Sequence, residues 1–202
     1  MGKKNIWLAD LTHTAQGISA ATFPLGVSFV YSYAKKELGT EFDFRLFKFP
    51  SHLADALKEK TPDLLCFSNY SWNFELAYKF ALLAKYQKKN LITIFGGPNF
   101  PTEQSEKLEF LQNRPAIDFY AEQEGEIGFV DIVKSLIEYS FDVNKLKKHG
   151  KSILNTSYIC GEQIITGLTE RIKNINEIPS PYLTGVLDEF FDLPLHPMIE
   201  TT

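Results

Sequence analysis

Cysteine is scarce: Cys66 and Cys160 are the two in the chain, far apart and in no CxxC or other metal-ligand spacing. A zinc or iron–sulfur site built by this chain is therefore not expected, and low cysteine use fits a reducing compartment. Long apolar runs are absent, so no segment is expected to span a membrane. Met1-Gly2-Lys3-Lys4 is basic, but the apolar stretch that follows meets Asp10 too soon for a secretory signal. Ile6 stands where a myristoylation signal needs Ser or Thr. There is no excess of positive charge: 21 Lys and Arg against 25 Asp and Glu leave a net −4. That argues against nucleic-acid binding driven by phosphate contacts. No GxGxxG follows the first strand, no GxxxxGK[ST] occurs, and no GxSxG elbow occurs. The expectation is a soluble cytoplasmic protein with no nucleic-acid or membrane partner.

What the chain does have is aromatic and aliphatic bulk. Of 202 residues 44% are hydrophobic, with 17 Phe, 9 Tyr and 2 Trp. One large core can be buried with rings left over for a ligand or partner.

Strand-like and helix-like stretches alternate. Asn5–Asp10, Glu41–Phe49, Leu64–Ser68, Leu91–Phe95 and Ile117–Ala121 read as strands, the second at an edge. Helical patterns follow each: from Pro24-Leu25-Gly26 to Leu38, His52–Lys60 capped by Ser51, Trp72–Lys89, Glu103–Leu111 and Ile127–Tyr139. Near-continuous apolar strands imply a parallel sheet covered on both faces. The fold class is α/β: a doubly wound, flavodoxin-like parallel five-stranded sheet, Rossmann-like, in the order 2-1-3-4-5. Residues 1–140 form that unit. Residues 141–202 read as a β-hairpin, turning at Cys160-Gly161-Glu162, and an extended C-terminal arm broken by Pro179, Pro181, Pro194 and Pro197. The arm either wraps the same unit or leads into a neighbour.

In such sheets ligands bind beyond the carboxyl ends of the strands. Four segments lie there. The candidate contacts are Thr12, His13, Thr14 and Gly17; Ser68, Tyr70, Trp72 and Asn73; Gly96, Gly97, Pro98 and Asn99; and Glu122, Gln123, Glu124 and Gly125. Two glycines directly after a strand let a bulky group approach the backbone, or simply make a turn. Ser68 is a ligand donor or a turn former. The acids at 122, 124 and 126 also suit the start of a helix. A phosphorylated receiver domain shares the fold class, but Asp10 lacks an acidic neighbour and the fifth strand lacks a following Lys, so that reading is rejected.

Taken together, these segments resemble the N-terminal cobalamin-binding domain of cobalamin-dependent radical-SAM proteins. The resemblance rests on Pro24-Leu25-Gly26, on Cys66-Phe67-Ser68-Asn69-Tyr70-Ser71-Trp72-Asn73, and on Phe95-Gly96-Gly97-Pro98-Asn99. It rests also on Asp118 through Glu124-Gly125-Glu126, and on Ile178-Pro179-Ser180-Pro181-Tyr182 with Pro197 through Thr202. It implies cobalamin as the cofactor of this chain. The iron–sulfur cluster and S-adenosylmethionine would belong to a radical-SAM barrel of the same full-length chain, beyond Thr202. The whole enzyme would then perform methyl transfer or related radical chemistry at an unreactive carbon. This chain alone would have no catalytic residues.

One departure concerns the first loop. Family members with a histidine below cobalt carry D-x-H-x-x-G, whereas Asp10-Leu11-Thr12-His13-Thr14-Ala15-Gln16-Gly17 places both His and Gly late. No protein ligand to cobalt is therefore expected. Two alternatives stay open: an α/β scaffold or partner-binding domain that has lost cobalamin, and an unrelated small-ligand domain of the same shape.

Overall fold

The computed structural model describes residues 2–199; Met1 and the final Glu200-Thr201-Thr202 of the expected linker lie outside the described residues. Seven strands form one sheet in the order β2-β1-β3-β4-β5-β6-β7. The first five are β1 (Lys4–Ala9), β2 (Phe42–Phe47), β3 (Leu64–Ser68), β4 (Ile92–Gly96) and β5 (Phe119–Ala121). They pair in parallel, in the order expected, with β2 at the edge.

Alternation along each strand divides the core in two. Ile6 and Leu8, Leu64 and Cys66, Ile92 and Ile94, and Phe119 and Ala121 face one side. Trp7, Ala9, Leu65, Phe67, Phe95 and Tyr120 face the other. Both faces being covered is why these strands are almost wholly apolar. The first side is covered by α1 (Leu25–Leu38), α5 (Gly125–Glu138) and α6 (Val143–Lys148). The second is covered by α2 (Pro50–Glu59), α3 (Phe74–Gln87) and α4 (Gln104–Gln112).

Helix ends follow local chemistry. Pro24 fixes the entry to α1, and Gly39, at φ 69°, ends it. The start of α2 differs from expectation: Pro50 occupies the first turn and Phe49 precedes it, so Ser51 is not the cap.

The sheet has seven strands, not five, because the hairpin joins it. β6 (Thr156–Cys160) pairs antiparallel with β5, and β7 (Gln163–Thr166) extends the edge. β5 is three residues long, and its open edge takes Thr156 and Ser157 as partners opposite Ala121 and Tyr120. A short helix, α6, also precedes the hairpin.

The arm is less extended than expected, with 3-10 turns at Ile175–Glu177 and Asp188–Phe190. It folds back over the α1 side. Leu187 and Phe190 are buried in that core, and Phe23 meets the ring of Phe191 edge-on at 5.0 Å. Thr22 and His196 form a parallel bridge, bringing the end of the arm beside the start of α1. The arm thus wraps the unit that precedes it.

Candidate functional site

A cavity of about 870 Å³ opens at the carboxyl ends of the strands, on the α1–α5 side. Its floor is apolar. Leu8, Cys66 and Ile94 lie side by side in register on β1, β3 and β4. Its walls are the first turn of α1 (Leu25, Gly26, Val27), the start of α5 (Gly125, Glu126) with Phe129 one turn on, and Met198 of the arm. Gly26 gives the α1 wall its clearance: a Cβ there would meet Tyr70 Oη at 3.6 Å, an ordinary contact. Neither α1 nor α5 has a side-chain cap at this end.

Burial pushes the Cys66 thiol up, so on the floor it is a neutral, unreactive group.

Polar groups ring this slot in two clusters. At the ends of β1, β2 and β3, Lys48 Nζ pairs with Asp10 Oδ2 at 2.7 Å, and Ser68 Oγ donates to Asp10 Oδ1 at 2.5 Å. Asn73 Nδ2 donates to Ser68 Oγ at 2.9 Å. Beyond β5, Lys107 Nζ pairs with Glu122 Oε2 at 2.5 Å, and Ser157 donates to the other Glu122 oxygen. Asp10, Lys48, Ser68, Lys107 and Glu122 all line the cavity.

The Gly96-Gly97 turn is stitched to the loop after β3. Asn69 Nδ2 donates to the Asn99 carbonyl at 2.7 Å, and Asn99 Nδ2 donates back to Asn69 Oδ1 at 3.0 Å. Tyr120 Oη donates to the Gly97 carbonyl at 2.8 Å. Burial pushes the Tyr120 phenol up, against the opposing pull of its Asn69 hydrogen bond, so it stays a donor.

Of the candidates from sequence, Ser68, Tyr70, Trp72, Gly96, Gly97, Pro98, Glu122, Gln123 and Gly125 line the cavity. Tyr70 and Trp72 stack at 4.5 Å with their planes 8° apart, and Trp72 is exposed at the rim. The others lie off the lining. Thr12 is buried, its Oγ1 accepting from the Ala20 amide at 2.9 Å. His13 is exposed, and its Nε2 donates to the Trp72 carbonyl at 2.9 Å. Thr14 and Gly17 sit in the exposed part of that loop. Asn73 is buried and takes the Tyr70 amide on its Oδ1, building the turn into α3. Asn99 pairs with Asn69 as above, and Glu124 pairs with Arg171 at 3.1 Å.

Sequence reasoning missed Lys48, Lys107 and the α1 wall. Lys48 had a usable signal, since it directly follows β2 and so belongs with the other strand-end residues.

No protein-family profile matches the chain. Two curated proteins do. One is the cobalamin-dependent radical SAM methyltransferase TokK of Streptomyces tokunonensis, 28% identical over 171 residues, or 82% of this chain and 24% of the relative. The other is the 2-(S-pantetheinyl)-carbapenam-3-carboxylate methyltransferase of Streptantibioticus cattleyicolor, 29% identical over 181 residues, or 85% of this chain and 25% of the relative. The chain thus spans about a quarter of the length of these relatives. Among solved structures, the cobalamin-dependent S-adenosylmethionine radical enzyme OxsB, with aqua-cobalamin and S-adenosylmethionine bound, superposes with a TM-score of 0.70 at 17% identity. That match covers 98% of this chain and 26% of OxsB. OxsB with aqua-cobalamin alone gives a TM-score of 0.65 at 16% identity, covering 93% of this chain and 25% of OxsB. Over most of its length, then, the chain is similar in sequence to one quarter of two curated methyltransferases, one of them a cobalamin-dependent radical SAM enzyme, and it carries the α/β fold of the matching quarter of OxsB.

Proposed function

We propose that this chain is a cobalamin-binding module of a radical-SAM protein. The observation that carries the reading is the strand-end cavity: an apolar slot between the sheet and α1, with polar groups at its edge. A flat aromatic group attached to a polar chain suits such a slot, and the nucleotide tail of cobalamin is such a group. The wide corrin ring would stay outside, over the strand ends, near Tyr70, Trp72 and Pro98. The tail would enter past Ser68 and Gly26 toward Cys66.

Cobalamin would supply a transferable methyl group or related cobalt chemistry. The chain's own share is to hold the corrin, admit the tail and keep water from the floor. His13 is engaged with the Trp72 carbonyl, which supports a cobalt without a histidine ligand from this chain. Residues 1–140 are taken as the main ligand-binding unit. Residues 141–202 extend its sheet and lead toward a radical-SAM barrel, where the iron–sulfur cluster and S-adenosylmethionine would be held. Methyl transfer at an unreactive carbon would be the work of the whole protein, in the cytoplasm. Among the described residues no helix is long and apolar enough to cross a membrane.

The test is titration of the chain with hydroxocobalamin, followed by absorbance and by thermal stability. Saturable binding with a spectral shift is the expected result. No binding at high cobalamin overturns the reading and favours a scaffold or partner-binding domain.

A further inference from the structure

Lys48 is an unusual residue for its place. It stands between the last residue of β2 and Phe49, which precedes α2. Its backbone is held there, because its carbonyl accepts the Thr12 amide at 3.1 Å. Its side chain turns inward across the strand ends and is 2% exposed. Lysine is almost never buried to this degree unless its charge is paired and its donors are met.

Pairing is present, and among the described residues it engages one acceptor. An ammonium carries three N–H groups. Among the described residues the hydrogen-bond acceptor of Lys48 is a single atom, Asp10 Oδ2. The carboxylate is itself well supplied. Its other oxygen takes Ser68 Oγ at 2.5 Å and Asn73 Nδ2 at 3.3 Å. Asp10 is thus fixed in place, and it orients the ammonium at the cavity edge that Lys48 lines. The second cluster differs. Lys107 meets Glu122 and lies over the Phe100 ring at 5.7 Å, and its side chain is 10% exposed. Lys48 is therefore the deeper cation, and Asp10 Oδ2 is its one hydrogen-bond acceptor among the described residues.

Depth decides which part of a ligand it meets. A group buried beside the β1–β2 end of the slot is reached by what enters the slot, not by what rests over its mouth. We propose that Lys48, oriented by Asp10, is the residue that recognises an oxygen of the entering tail, and so makes the site prefer ligands that carry a tail. This rests on the cobalamin reading above. The oxygen belongs to the phosphodiester or to the ribose, both of which offer acceptors to an ammonium.

The experiment titrates the full chain and its Lys48→Met variant with three probes: hydroxocobalamin, cobinamide phosphate and cobinamide. Cobinamide has the same corrin without phosphate, ribose or base. The wild-type chain should bind hydroxocobalamin more tightly than cobinamide. In Lys48→Met the affinity for hydroxocobalamin should fall roughly ten- to a hundred-fold, as for loss of a charged hydrogen bond, with cobinamide unchanged. Cobinamide phosphate falling with hydroxocobalamin assigns the oxygen to phosphate; staying with cobinamide assigns it to ribose. Either supports the tail contact. A parallel fall for all three probes, or no fall, overturns it and leaves Lys48 a structural tie between β1 and β2. Wild-type chain that binds none of the probes overturns the cobalamin reading itself, and the inference with it. Lys48→Met strands the Asp10 charge, so the Asp10→Asn/Lys48→Met double variant is measured beside it. It keeps acceptors for Ser68 and Asn73, and it should show the same loss of preference.

Discussion

Gly97 and Asn69 approach so closely that a Cβ on Gly97 would stand 2.7 Å from the Asn69 carbonyl oxygen. Gly97 also has a φ of 123°, a conformation that side chains rarely adopt. The second glycine of the pair is therefore demanded first by the packing of two backbone loops. Gly97→Leu would damage the turn whatever the ligand. Gly26 is the place to fill the cavity without moving a backbone. Gly26→Leu should keep its melting temperature within a few degrees and lose cobalamin binding by about tenfold or more. Unchanged affinity in a folded Gly26→Leu would place the ligand elsewhere.

His13 is held by the Trp72 carbonyl, outside the cavity lining. His13→Ala should leave the absorbance spectrum of the bound corrinoid unchanged, while loosening the loop that carries Trp72. A shifted spectrum in His13→Ala would make histidine a cobalt ligand.

Phe23 is 1% exposed and its ring touches those of Tyr182, Phe190 and Phe191 at 5.0 to 6.2 Å. Phe23→Ala should cost about 3–5 kcal/mol in urea unfolding. It should also expose the segment 182–191 to limited proteolysis first. Cleavage spread evenly over the chain would argue against a local latch.

Asp63 ties β1 to α3, accepting the Asn5 amide at 2.9 Å and Lys88 Nζ at 3.0 Å. Burial works to raise its pKa, but these bonds and the charges of Lys88 and Lys4 outweigh it and hold the carboxyl below its ordinary value. A lowered carboxylate contributes stability that is complete above its unfolded value, about pH 4, and is lost as pH falls through the folded value. The difference in melting temperature between wild type and Asp63→Asn should be widest near neutral pH and shrink in acid. A gap that stays constant would exclude the linkage.

The parallel half of the fold was legible because its strands are buried on both faces and so read as unbroken apolar runs. The hairpin's place was not. Thr156 and Ser157 are buried to within 1% exposure, yet as polar residues they carry no sign of it, and their partners on β5 lie far away in sequence. Helix α6 escaped notice because three of its six residues are lysines and Leu146 alone is buried. At the site, Ser68 and the glycines announced themselves by standing where apolar strands end. Lys107 did not. It looks like one more charge on a surface helix until the fold sets it against Glu122.

Met198 lines the cavity, and the same stretch of chain is bridged to the loop before α1 through His196 and Thr22. Occupancy of the slot and docking of the arm are then two equilibria sharing one wall. Whatever a ligand gains from that wall when the arm is down, the arm gains in return when the ligand is in, by the same free energy. A substitution that loosens the arm should therefore lower affinity for the ligand, and a bound ligand should favour the docked arm, each by the same factor.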